Sequence, residues 1–69
     1  MNRKKVEEIK KRYTSGTRVR LHEMYQEKQM PSGLCGTIDF VDDIGQIHIH
    51  WDNGSSLALN LDFDVFELI

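Results

Sequence analysis

From Gln46 to Trp51 apolar and polar positions alternate: Ile47, Ile49 and Trp51 fall on one side, Gln46, His48 and His50 on the other. A period of two predicts a strand with one buried face. β-branched and aromatic residues suit that pleated surface. The alternation resumes at Leu57 and Leu59, beyond Asp52-Asn53-Gly54. Asn-Gly tolerates positive φ at both central positions of a type I′ turn, so the two runs are predicted to form a hairpin. An earlier run, Gly36-Thr37-Ile38-Asp39-Phe40-Val41, enters through Asp42-Asp43-Ile44-Gly45. An opening Asp and a closing Gly fit a type I turn followed by a left-handed glycine. Two registers suit this run. Strict alternation buries Ile38 and Phe40 and exposes Val41. A one-residue bulge buries Ile38 and Val41 and makes Phe40 a contact residue; we favour the bulge.

The flanks complete a mainly β pattern. Thr17 to His22 is predicted as the first strand, with Val19 and Leu21 inward and Arg18, Arg20 and His22 outward. Glu23 to Ser32 is a long polar loop that ends in Met30-Pro31-Ser32-Gly33, where proline pre-sets φ for a turn. Asn60 to Asp64 is a tight turn. Val65 to Ile69 is a last strand with Phe66 and Leu68 inward. Five strands with short connections can close on themselves and hide most of their edges. Before them, Met1 to Arg12 reads as a helix, with Val6, Ile9 and Tyr13 on one stripe and Glu7–Lys11 and Glu8–Arg12 as favourable pairs one turn apart. One narrow stripe on so short a helix does not hold it in water alone. It is expected to dock on its own sheet, dock on another chain, or fray. The chain thus divides into a basic amphipathic helix (1–13) and a β domain (16–69) within a single domain.

Size and charge narrow the possibilities. A single core in 69 residues supplies only about 3–5 kcal/mol of stability. Cys35 is the one cysteine, so no intramolecular disulfide forms, which suits a reducing cytoplasm. No apolar run is long enough for a membrane span. The net charge is −2, but residues 1–12 carry six cations against two acids, and residues 13–69 carry three against nine. The basic end suits an anionic partner; the body repels one.

Chemistry-bearing residues are sparse. His48, His50 and Asp52 alternate on one strand and are types that ligate metals, but His-x-His is a weak motif and the plainer reading is a solvated outer face. Cys35 has no sequence neighbour that would activate a thiol. Trp51 continues the Ile47–Ile49 face and is assigned to the core. Asp42-Asp43 is turn chemistry. No catalytic constellation, metal site or cofactor is therefore expected. Two surfaces remain. Met24, Tyr25 and Met30 in the long loop, with Phe40 on the adjoining strand, make a candidate apolar patch for a protein partner, because loops carry binding and methionine surfaces adapt. Arg3, Lys4, Lys5, Lys10, Lys11 and Arg12 make a candidate nucleic-acid contact through phosphates.

Several pieces are similar to a small bacterial and phage family of unknown function with a Src-homology-3-like barrel. They are Gly16-Thr17-Arg18-Val19-Arg20-Leu21, Gly36-Thr37-Ile38, Val41-Asp42-Asp43, Gly45-Gln46-Ile47-His48-Ile49, Trp51-Asp52-Asn53-Gly54-Ser55-Ser56-Leu57 and Phe66-Glu67-Leu68-Ile69. They span roughly residues 16 to 69, and the Trp-Asp-Asn-Gly-Ser piece is the most specific. The resemblance implies a small five-stranded Src-homology-3-like barrel preceded by one short α-helix, and it implies no activity. Leu34-Cys35 and Phe40 depart from the family pattern toward apolar residues. The paired tryptophans of polyproline-binding domains are missing. The expected function is a non-enzymatic module that binds an unknown protein through the 23–33 loop and the adjoining strand. The alternatives are accessory nucleic-acid binding through the helix and self-assembly into a homo-oligomer.

Overall fold

The computed structural model describes residues 2–69; the predicted helix start at Met1 lies outside them. One helix, α1 (Arg3–Arg12), precedes four strands: β1 (Arg18–Glu23), β2 (Cys35–Val41), β3 (Ile47–Trp51) and β4 (Val65–Leu68). All pair antiparallel, in the order β3-β2-β1-β4. The fold is mainly β, but the sheet is open and has four strands where the sequence predicted five.

The missing strand has a specific cause. Residues 55–59 do run back along β3 in hairpin register. Trp51 N–H donates to the Ser55 carbonyl at 3.0 Å, and Ile47 and Leu59 exchange both backbone bonds at 2.9 and 2.8 Å. The rung between them, where Leu57 would face Ile49, is diverted. The Leu57 carbonyl accepts from the Trp51 indole Nε1 at 2.8 Å, and its N–H points to Ser55 Oγ at 3.4 Å. Side-chain bonds thus replace the ladder that would have made this arm a strand.

The two turns flanking β3 share one geometry. In each, the first residue's N–H donates to the carbonyl of the fifth, and the fourth residue, a glycine, donates to the carbonyl of the first: Asp42 to Gln46 with Gly45, Trp51 to Ser55 with Gly54. Gly45 and Gly54 take φ of 85° and 89°, whereas Asn53 stays out of the left-handed region. Asp52-Asn53-Gly54 is therefore a three-residue loop closing on a left-handed glycine, not the predicted type I′ turn. Asn53 Oδ1 accepts from Ser55 N–H and favours this shape.

The bulge in β2 is present. Ile38 faces Ile49, Phe40 faces His48, and Asp39 is the extra residue. Ile38 and Val41 are buried and Phe40 is exposed, as the favoured register required. Val19, Leu21, Ile38, Ile47, Ile49 and Leu59 form the fully buried centre, each contributing about 1.5–3 kcal/mol relative to exposure. Trp51 is buried with them. β4 departs from expectation: Phe66 is half-buried against the core, but Leu68 is exposed. As the last strand of an open sheet, it lacks a second layer to cover both inward positions.

α1 docks on its own sheet. Val6 and Ile9 are buried, Ile9 within the core cluster, and Tyr13 packs against the same cluster. The Tyr13 ring lies 5.7 Å from that of Phe66. Asn2 caps the helix, its Oδ1 accepting from Lys5 N–H at 2.8 Å, which satisfies one free donor of the first turn. Lys10 reaches Asp43 at 3.0 Å, a solvent-exposed pair of little energetic weight. Among the described residues no helix is long and apolar enough to cross a membrane.

Candidate interaction surface

The long loop is anchored by its methionines. Met24 and Met30 are 7% and 6% exposed and belong to the core cluster. They are removed from the predicted contact patch, because unbranched thioether side chains fill the irregular space beneath the loop. Their inward turn pushes Tyr25 out. A turn from Met24 to Glu27, closed by a 3.2 Å hydrogen bond, sets Tyr25 at its corner, and Gln26 follows at φ 59°. That left-handed conformation is uncommon for a residue with a Cβ.

Asp64 fixes this corner to the far end of the chain. Its Oδ1 accepts from Tyr25 N–H at 2.8 Å and its Oδ2 from Asn60 N–H at 2.7 Å. One carboxylate therefore holds the loop and the turn before β4 together. Across that clamp the rings of Tyr25 and Phe63 stack, 5.1 Å between centroids and 24° apart. Both remain open to solvent, at 56% and 59%. Val65, which faces Glu23 in the β1–β4 ladder, is exposed beside them in sequence, as are Leu68 and Ile69 further along.

Phe40 belongs to a different place. Its ring stacks on His48 at 4.3 Å and 5° and borders a groove lined by Lys10, Tyr13, Thr14 and Ser15. The groove beneath the loop, lined by Met24, Tyr25 and Met30, shares none of those residues. The four predicted patch residues thus separate into two buried anchors, one exposed aromatic at the loop and one exposed aromatic beside the helix.

The outer face of the sheet is laced with ion pairs. Arg18 grips Asp52 through two bonds of 2.8 and 2.7 Å and also reaches Thr37. Glu67 lies between Arg20 at 3.3 Å and His22 at 2.7 Å. His48 meets Asp42 at 2.8 Å, and His50 meets Asp39 at 3.4 Å. His48, His50 and Asp52 therefore turn to three separate partners. Among the described residues no three ligand-type side chains converge. Hydrogen bonds from Arg18 hold the Asp52 carboxyl below its ordinary value. Glu67 is lowered in the same way, first by His22 and less by Arg20, against some desolvation. Desolvation opposes ionisation of Asp42, but bonds from His48 and from the Gln46 and Ile44 N–H groups together outweigh it and lower this carboxyl too.

The six predicted basic residues line the exposed sides of α1. Arg3 approaches Glu7 at 3.9 Å, Lys10 reaches Asp43, and the Arg12 guanidinium lies 5.6 Å from the Tyr13 ring centre. Lys4, Lys5 and Lys11 project into solvent.

A family model described as a domain of unknown function, DUF4314, matches residues 2–69. The chain belongs to this family. No curated protein and no solved structure matches it. The family match runs through α1 as well as the sheet, whereas the sequence resemblance began at Gly16. Sequence reasoning did not single out Phe63, the ring that completes the exposed stack. The only available signal was an aromatic between two aspartates, inside a segment whose turn-like composition hid it.

Proposed function

We propose that this protein is a non-enzymatic protein-interaction module whose contact surface is the Tyr25–Phe63 stack and the start of β4. The observation that carries the reading is the stack itself: two large rings, each more than half exposed, held in fixed register by Asp64. Pre-organised aromatics are the anchors that protein interfaces favour, because little side-chain freedom is lost on binding. The Phe40–His48 stack is a second exposed aromatic feature, but it is single-ringed on its apolar side and lies apart from the loop. The strand order, with residues 55–59 bonded outside β3, supports a Src-homology-3-like barrel in which the fifth strand is reduced to that arm. Fold of this kind hosts many functions, so the argument for binding rests on the stack.

The test is affinity capture with the immobilised protein from cells that express it, comparing the wild type with Tyr25→Ala and Phe63→Ala. Both variants should keep the amide spectrum of the core, since neither ring is buried. Specific partners should be lost from both. Identical capture by all three proteins overturns the reading.

A second reading has an observation of its own. Lys4, Lys5 and Lys11 stand in solvent on a helix that Val6 and Ile9 hold rigidly in place, so their charges are presented together. Deleting the helix would open the core. Glutamine at Lys4, Lys5 and Lys11 is the cleaner probe. If this face binds DNA, the variant should lower the slope of log affinity against log salt by about 2–3.

A further inference from the structure

β4 is an unprotected sheet edge. Ile69 N–H donates to the Arg18 carbonyl at 3.0 Å, and Arg20 faces Glu67. These are the hydrogen-bonded pairs of the β1–β4 ladder. In an antiparallel ladder the intervening residues turn their backbone groups the other way. Phe66 and Leu68 therefore direct N–H and C=O to the outer side of β4. The opposite edge of the sheet, along β3, is closed by the 55–59 arm. Among the helix and strands, only β1 runs alongside the β4 backbone, although the Phe66 side chain reaches the ring of Tyr13. Natural edges are usually blunted by lysine, proline or a covering segment. Here Val65, Leu68 and Ile69 are exposed, and the one charge in the strand, Glu67, is already held by Arg20 and His22.

The surroundings of this edge are acidic. Glu23 faces Val65 across the ladder, and Asp62 flanks Phe63. Both are exposed, and neither forms an ion pair among the described residues. Glu23 stands two residues before Tyr25 and Asp62 immediately before Phe63, and an aromatic face with nearby carboxylates attracts a cation. A second copy of this chain is a poor occupant. Antiparallel self-pairing through Phe66 and Leu68 sets Glu67 directly opposite its counterpart, and like charges placed opposite one another destabilise a ladder.

We propose that the β4 edge accepts a strand from an extended segment of another protein that carries lysine or arginine, its backbone bonding to Phe66 and Leu68 and a cationic side chain resting on the Tyr25–Phe63 stack. This is strand addition, in which main-chain bonds supply affinity and alternate side chains supply specificity. The inference rests on the proposed protein-binding function and names its partner's chemistry.

The experiment is an amide NMR titration of the full chain with a capped heptapeptide that alternates lysine or arginine with valine. The control is the same peptide with glutamate at the basic positions. The basic peptide should shift Tyr25, Phe63, Val65, Phe66 and Leu68 and slow exchange of the Phe66 and Leu68 N–H groups. The acidic peptide should not. Reversing both free acids, Glu23→Lys with Asp62→Lys, should weaken the basic peptide about three- to tenfold at low salt. Equal binding of the two peptides overturns the proposed chemistry and leaves the protein-interaction reading standing. Shifts scattered over Asp39, Asp43 and Asp52 instead of β4 also overturn it, as bulk electrostatics. Concentration-dependent protection of Phe66 and Leu68 without peptide assigns the edge to a second copy and overturns it. The capture experiment with Tyr25→Ala and Phe63→Ala decides the underlying function independently of each outcome.

Discussion

At the scale of single residues, the tightest constraint lies at Gly36. It faces Trp51 in β3 and Val19 in β1. A Cβ placed there would lie 2.6 Å from Ile49 Cγ2, 2.9 Å from the His50 carbonyl oxygen and 2.9 Å from the Trp51 ring. The carbonyl belongs to the ladder and cannot retreat without breaking it. Gly36→Ala should therefore destabilise the fold by about 1–3 kcal/mol, read as a lower urea midpoint at unchanged slope. A wild-type midpoint would show that β2 and β3 can separate freely at this point. Tyr25 and Asp64 illustrate the opposite situation. One backbone N–H and one carboxylate, 39 positions apart, decide which way a loop presents its aromatic.

At the scale of elements, local pattern was a good guide wherever burial followed from neighbours in sequence. The run Ile38-Asp39-Phe40-Val41 offered only two ways to place its apolar residues, and the structure takes the bulged one. The alternation of Leu57 and Leu59 looks the same whether their partner is a backbone ladder or an indole, so it could not reveal that Trp51 takes the Leu57 carbonyl. Met24 and Met30 sit among polar residues. Their burial depends on space left by β1 and β2, which no local pattern records. Asn53-Gly54 shows a propensity yielding to register: the pairing of Trp51 with Ser55 admits a third loop residue, and Asn53 then has no need of positive φ. The 55–59 arm should be sensitive to the indole. Trp51→Phe removes the donor, leaves the Leu57 carbonyl without that bond, and costs about 1–3 kcal/mol. Amide exchange should speed up more at Leu59 than at the β1–β2 ladder. Uniform acceleration across the sheet would show that the arm has no separate stability.

For the whole molecule, the uneven charge is resolved by distance as well as by pairing. The cations of α1 stand on its exposed sides, with Lys10 turned to Asp43, and four acids of the body, Asp39, Asp42, Asp52 and Glu67, are tied to arginine or histidine on the outer face of the sheet. Asp42, Asp52 and Glu67 titrate below their ordinary values of 3.8, 3.8 and 4.5 when folded. The unfolded chain therefore binds protons first as pH falls. Their contribution is fully present above about pH 5, declines as pH drops below the ordinary carboxylate values, and is lost once the folded-state values are passed. Urea midpoints should fall on acidification from pH 5 to pH 3. Asp42→Asn should flatten that fall while its amide oxygen still accepts from the Ile44 and Gln46 N–H groups. A pH-independent midpoint in the wild type would show that these pairs survive equally in the unfolded chain.

The bond between Trp51 and Leu57 has one more consequence. The chain holds a single tryptophan, so all of its indole emission comes from the junction of β3 with the returning arm. An indole sealed from water emits at shorter wavelength than a hydrated one. The colour of this protein's fluorescence is thus a built-in gauge of whether that junction is shut, readable without any label.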